Sequence, residues 1–190
     1  MAQKRAKRFP LLVYKVVVRR WRWPAFLLIP AGIALWWILG RNKSVLDAWA
    51  WLPLVISAVG LLVFLYTLLA DGACIRCRER YFTLQTPLYP IVFSYRRVQA
   101  VRPVDFAKIR PPEEEKPARW RLYRHLWGQT AVAIDLRGYP LSKRWLRIWC
   151  HEYLFQPTST GLLVLTDDWM GLIRQIEIHR TQLKQRRRQA

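Results

Sequence analysis

Two uninterrupted apolar runs dominate the first seventy residues. Residues 24–40 read PAFLLIPAGIALWWILG, seventeen positions without a charge, and residues 48–70 read AWAWLPLVISAVGLLVFLYTLLA. As helices they would extend about 25 Å and about 34 Å. The second is long enough to cross a bilayer's hydrocarbon core. The first is at the short limit and is broken by Pro30, so Trp21, Trp23 and a snorkelling Arg22 have to extend it. In the second run only Ser57 and Thr67 are markedly polar, and both hydroxyls can bond back to helix carbonyls. Trp49, Trp51 and Tyr66 sit near its ends, where interfacial aromatics belong. A second domain of the size left over could not cover two such helices on all sides, so the pair reads as a transmembrane hairpin and not as buried core helices. No small-residue cleavage pattern follows the first run, which argues against a signal peptide.

After Asp71-Gly72 the pattern changes to short alternating runs punctuated by Pro87, Pro90 and Pro103, the signature of β-structure. Strands are predicted at 73–78, 81–86, 91–94, 98–104, 131–136 and 162–166, while 143–155 fits helix and strand equally. In the last segment Asp167 or Asp168 can cap a helix on which Trp169, Leu172, Ile173, Ile176 and Leu183 keep helical spacing. Its basic tail, 184–188, suits a helix C-terminus. The N-terminal stretch FPLLVYKVVVRRWRW reads either as a short interfacial helix or as a disordered basic arm, and its Val run also fits a strand. The predicted class is therefore α+β. A basic segment (1–23) precedes a hairpin (24–70, spans 24–40 and 48–70), and a domain (71–190) follows, its antiparallel strands forming a bent sheet or partly open barrel plugged by a C-terminal helix.

Charge sets the orientation. The 190-residue chain carries 32 Lys and Arg against 12 Asp and Glu, a net +20, with 53% hydrophobic residues and eleven Trp. Eight basic residues and no acid precede Pro24, whereas the link 41–47 holds two basic residues and one acid. By the positive-inside rule both termini are expected in the cytoplasm, in a multi-pass protein of the plasma or inner membrane. The combination suits a protein held against anionic headgroups better than a nucleic-acid binder, which has no need of long uncharged runs.

Three stretches carry a resemblance to a known family. DGACIRCRERYFTLQTPLYP joins the second span to the first strands, IVFSYRRVQAVRPV follows, and LLVLTDDWMGLIRQI runs from a strand into the last helix. In texture and order this resembles the bacterial pleckstrin-homology-like membrane proteins, over residues 24–105 and 130–183. The resemblance implies two N-terminal spans leading into a small cytoplasmic β-domain that acts as a binding module. The segment 106–129 departs from it. If helical, it sets Trp120, Tyr123 and Trp127 on one face and Arg121, Arg124 and His125 on another, as a second interfacial foot or as a helix packed on the sheet.

Chemistry in the catalytic sense has little support. Cys74 and Cys77 have metal-like spacing, but on a strand they point to opposite faces, and only Cys150-His151 could complete a zinc site. No nucleophile motif or glycine-rich phosphate loop is present, and Glu113, Glu114 and Glu115 read as a solvated hinge. No enzyme activity and no cofactor are expected.

Arg and Trp interleave in RRWRW, RWRLYRHLW and KRWLRIW. Such a pattern serves lipid headgroups or nucleic acid, and adjacency to a span favours lipid for the first. The expected contacts are Arg19, Arg20, Arg22, Arg76, Arg78, Arg80, Arg96, Arg97, Arg102, Trp120, Arg121, Arg124 and Trp127. The partners are expected to be anionic membrane lipids, a membrane protein or a second copy of the chain. A scaffold or assembly subunit without lipid recognition is the alternative.

Overall fold

A computed structural model of the chain describes residues 7–41 and 51–189, so the link between the apolar runs and the predicted start of the second span lie outside the described residues. The architecture is α+β, with two long apolar helices and two open antiparallel sheets. Two compact units divide the chain: residues 15–71 form one, and residues 1–14 with 72–190 form the other.

The helical unit consists of α1 (Leu12–Arg41) and α2 (Leu52–Asp71), the first of which begins in the other unit. Both are long and apolar enough to cross a membrane. Helix α1 differs from expectation: the stretch after Leu11 is neither a separate interfacial helix nor a strand but the start of one helix that runs through Pro24 and Pro30. Each proline removes one N–H from the helix ladder, yet the apolar residues on either side keep the helix going. Small residues let the two helices approach. A Cβ added at Gly32 would lie 2.7 Å from the Pro53 carbonyl oxygen, and one added at Gly60 would lie 2.9 Å from Leu28 Cβ. Thr67 bonds back to the Phe64 carbonyl of its own helix at 2.7 Å, as the sequence suggests. Ser57 instead reaches across to the Ile29 carbonyl at 3.1 Å. Close backbone approach plus one interhelical hydrogen bond is a packing mode that works where no hydrophobic effect drives association. The side chains facing away stay exposed, Leu62 at 66% and Trp37 at 60% among them.

The second unit begins with an element the sequence does not announce. Residues Arg8–Pro10 form β1, antiparallel to β2 (Cys74–Cys77), with Arg8 opposite Arg76 and Phe9 opposite Ile75. Strands β3 (Tyr81–Gln85) and β4 (Pro90–Ser94) complete a four-stranded sheet in the order β1-β2-β3-β4. Its inner face is the row Phe9, Ile75, Leu84 and Ile91 followed by Cys77, Phe82 and Phe93, all buried, with Phe82 and Phe93 stacked at 5.2 Å.

Strand β5 (Val98–Asp105) opens a three-stranded sheet, β5-β6-β7, with β6 (Thr130–Leu136) and β7 (Gly161–Leu165). Every residue of β7 is buried, so that strand is covered on both faces. Tyr139 clamps its start: the phenol donates to the Gly161 carbonyl at 3.0 Å and accepts from the Gly161 N–H at 3.1 Å. The final helix, α6 (Trp169–Gln189), is capped by Asp168, whose carboxylate accepts from the Gly171 N–H at 2.9 Å. It lies against β5, β6 and the 3-10 turn Tyr95–Arg97, burying Leu172 and Ile176. The strand positions after residue 72 agree with the sequence pattern to within one residue at every end.

Between β5 and β6 the segment 106–129 folds into a single turn α3 (Phe106–Ile109), a second helix α4 (Pro117–Tyr123) and two 3-10 turns. It ends at Gly128, whose φ of +99° only glycine adopts readily. The ambiguous stretch 143–155 becomes α5 (Lys143–Trp149) and a 3-10 turn.

The helix pair gives a direct test. Replacing Gly32 or Gly60 with Leu forces the helices apart, and each change is expected to lower the thermal midpoint in detergent, at a cost of about 2 kcal/mol or more. Ala58→Leu, on an exposed face of α2, leaves it unchanged. Intrinsic-fluorescence melts of the three variants check this.

Candidate functional site

The outer face of the four-stranded sheet gathers basic side chains from two strands. Side-chain alternation puts Phe9 and Ile75 inward and their neighbours Arg8 and Arg76 outward, and the β1-β2 register sets those two arginines side by side. Thr83 and Val92 continue the row across β3 and β4. Arg8 is exposed and Arg76 half-buried, with the Arg76 Nε enclosed and unpartnered. Among the described residues neither has a carboxylate within ion-pair distance. At the end of β2, Arg78 donates to the Tyr81 hydroxyl at 3.1 Å and lies 5.7 Å from that ring's centroid, which holds the guanidinium without neutralising it. Arg80 is exposed in the β2-β3 turn, next to Glu79, which is also exposed. Like charges on adjacent strands repel, so this arrangement is unfavourable unless an anion sits over it.

The other expected residues divide into two groups. Arg97 donates to the Tyr139 carbonyl at 2.8 Å, and Arg102 pairs with Asp135 at 3.4 Å, so both hold the second sheet together. Trp127 is also turned inward: its Nε1 donates to the Arg110 carbonyl at 2.8 Å and its ring packs on Phe106 and Tyr153. Arg96, Trp120, Arg121 and Arg124 are exposed, and Arg19, Arg20 and Arg22 are exposed on α1 in the helical unit. Of the three aromatics predicted to share a face in 106–129, Tyr123 is buried and Trp127 half-buried, while Trp120 faces out. This part of the segment is packed on the domain.

That packing centres on a group the sequence does not reveal. Tyr123, Tyr153 and Tyr14 surround His151, with ring centroids at 5.2, 5.0 and 6.4 Å. His151 Nδ1 accepts from the Tyr153 N–H at 3.2 Å, so in the neutral ring the proton is on Nε2, which donates to the Tyr123 hydroxyl at 2.8 Å. The His151 N–H donates to the Tyr14 hydroxyl at 3.0 Å, tying the first turn of α1 to the segment after α5. Around this core, Arg119 pairs with Glu152 at 2.9 Å, and Arg110 pairs with Glu115 at 3.5 Å while lying over the Tyr153 ring. Burial first, and the charges of Arg119 and Arg110 after it, push His151 down to about 4, against the opposing pull of Glu152.

The cysteines do not assemble. Cys74, Cys77 and Cys150 are buried free thiols, and among the described residues no three His, Cys, Asp or Glu side chains are grouped to hold a metal. Cys77 faces the inner row with Phe82 and Cys74 faces the opposite side beside Gln85, the separation that strand alternation requires. Burial pushes the Cys77 thiol up to about 11 and Cys150 up to about 12, so neither supplies a thiolate at neutral pH.

Fold and surface together define an α+β protein with two long apolar helices and a basic sheet face. No family model, no curated protein and no solved structure matches this chain.

His151 predicts a pH dependence of stability. The unfolded chain takes up a proton near pH 6.5, whereas the folded chain resists until about 4. Its contribution is therefore complete above pH 6.5 and is lost as pH falls toward 4, by about 2 kcal/mol at pH 5. Thermal melts between pH 7.5 and 5 should show the wild-type midpoint falling faster than that of His151→Gln. Parallel curves would contradict the buried neutral imidazole.

Proposed function

We propose that the chain is a two-span, non-enzymatic membrane protein whose cytoplasmic pleckstrin-homology-like domain binds anionic lipid headgroups. The observation that carries this reading is the pair Arg8 and Arg76, held side by side by strand register without a carboxylate, next to Arg78 and Arg80. Phosphate oxygens are the chemistry that several unneutralised guanidinium groups on one face recognise.

Three further features support it. The helices α1 and α2 leave most of their apolar side chains exposed, which is costly in water and favourable in lipid. Pairing of β1 with β2 requires the chain to enter and leave the hairpin on one side of the bilayer, which agrees with two spans and with the excess of basic residues before Pro24. The strands after residue 72 and the helix packed on the second sheet suit the small β-domain that the family resemblance implies, while β1, placed ahead of the hairpin, departs from its order.

A vesicle assay tests the proposal, and the structure dictates the variant to use. The domain's first strand precedes the hairpin, so a truncation starting at Gly72 would lack β1. The Leu11 N–H donates to the Ala73 carbonyl at 3.1 Å and Tyr14 belongs to the His151 cluster, so a flexible Gly-Ser link is placed between Tyr14 and Gly72 to keep both. This hairpin-deleted variant is expected to co-sediment with phosphatidylglycerol-containing vesicles and not with phosphatidylcholine alone, and to release in salt. The change Arg8→Gln with Arg76→Gln should weaken binding about tenfold, in line with two lost charge-assisted contacts. Equal binding to both vesicles would remove the headgroup claim. A stoichiometric protein partner retained by the full chain in mild detergent would favour the scaffold reading.

A further inference from the structure

A second surface on the same domain is apolar at its centre and basic around it, and neither the core nor the arginine row uses it. It forms where the β3-β4 turn meets α5. Tyr89 of the turn packs its ring on Trp145 at 5.7 Å and on Trp149 at 5.9 Å, and those two indoles lie 5.3 Å apart. The three rings fasten the turn to the helix, while Leu146 anchors α5 in the core. Beside them Ile148 is 72% exposed, Leu88 57% and Leu141 42%, and Trp145, though packed on Tyr89 and Trp149, keeps 42% of its surface exposed.

The charge here is predominantly positive, and Glu152, the acid whose carboxylate feels Arg147, is paired with Arg119. Lys143, Arg144 and Arg147 are exposed on α5, residues 86–90 and 141–150 contain no acid, and no described carboxylate pairs with the three cations. We infer that the β3-β4 turn and α5 dock on an anionic bilayer surface, with Ile148 and Leu88 entering the acyl boundary. Trp145 then sits in the headgroup layer and Lys143, Arg144 and Arg147 reach lipid phosphates. The two most exposed apolar positions are aliphatic, with no ring to stack on a base and no group to read one, which sets this surface apart from a nucleic-acid platform. Three like charges beside the patch would oppose a second copy of it, and an anionic membrane relieves that repulsion. The sequence pattern KRWLRIW left lipid and nucleic acid open. Its meeting with Leu88 and Tyr89 favours lipid, because a turn more than fifty residues earlier in the chain extends the apolar centre.

This inference rests on the membrane reading above but not on headgroup binding by Arg8 and Arg76. Its test is the full chain in nanodiscs of phosphatidylcholine with phosphatidylglycerol, spin-labelled in turn at Ile148→Cys, Leu88→Cys, Leu62→Cys on α2 and Glu113→Cys on an exposed turn. The native thiols are buried, so the surface cysteines label selectively, with the unsubstituted protein as the control. Power saturation compares collision with oxygen, which concentrates in lipid, against a nickel chelate, which stays in water. Positions 148 and 88 are expected to favour oxygen several-fold more than position 113, as position 62 does. Changing Lys143, Arg144 and Arg147 together to Gln should move position 148 back toward water. If 148 and 88 behave like 113 while 62 reports lipid, the docking is wrong and the hairpin stands, as it would if the patch served a protein partner. If 62 also reports water, the membrane reading falls and takes the docking with it.

Discussion

The structure depends on one pairing, that of β1 with β2. Three residues before the first apolar helix form the edge of a sheet whose next strand begins three residues after the second helix ends. Closing a loop of some sixty residues is entropically unfavourable, but the cost grows only with the logarithm of loop length and is reduced when the loop is itself a packed helical pair. Phe9 repays it by filling a row with Ile75, Leu84 and Ile91 in the first sheet. The hairpin is thus an insertion into a β-sheet and not a leader ahead of a domain. Both its ends are fixed by backbone hydrogen bonds on the same structure.

That constraint also sorts the arginines, which an excess of charge alone cannot do. Arg97, Arg102, Arg110 and Arg119 are already engaged with carbonyls and carboxylates of the domain itself, in the second sheet and the inserted segment. Arg8 and Arg76 are brought together only because β1 pairs with β2, and they have no comparable internal partner among the described residues. The basic surface offered to a ligand is therefore smaller than the composition suggests. It owes its geometry to the strand that sequence reading overlooks.

How much was legible follows from the range of each signal. Strands after residue 72 show in local alternation because one face of each is buried, and the last helix shows in the spacing of Leu172 and Ile176 beneath the Asp168 cap. Strand β1 does not show, because three residues carry no measurable period and its partner is remote. Pro30 misleads as a helix breaker, since the helix runs on through it. Trp127 reads as interfacial by residue type, yet a single bond to the Arg110 carbonyl turns it inward. The His151 cluster joins Tyr14, Tyr123 and Tyr153 from three separated segments, an arrangement that exists only in the fold.

In the proposed topology two helices cross a bilayer and return the chain to the side from which it left, where β1 meets β2. Cysteine accessibility in intact cells measures this most directly, with a membrane-impermeant maleimide applied to Asn42→Cys in the link and Arg80→Cys in the β2-β3 turn. Labelling of position 42 from outside and of position 80 only after lysis is the expected result. Equal accessibility of the two positions before lysis would contradict it.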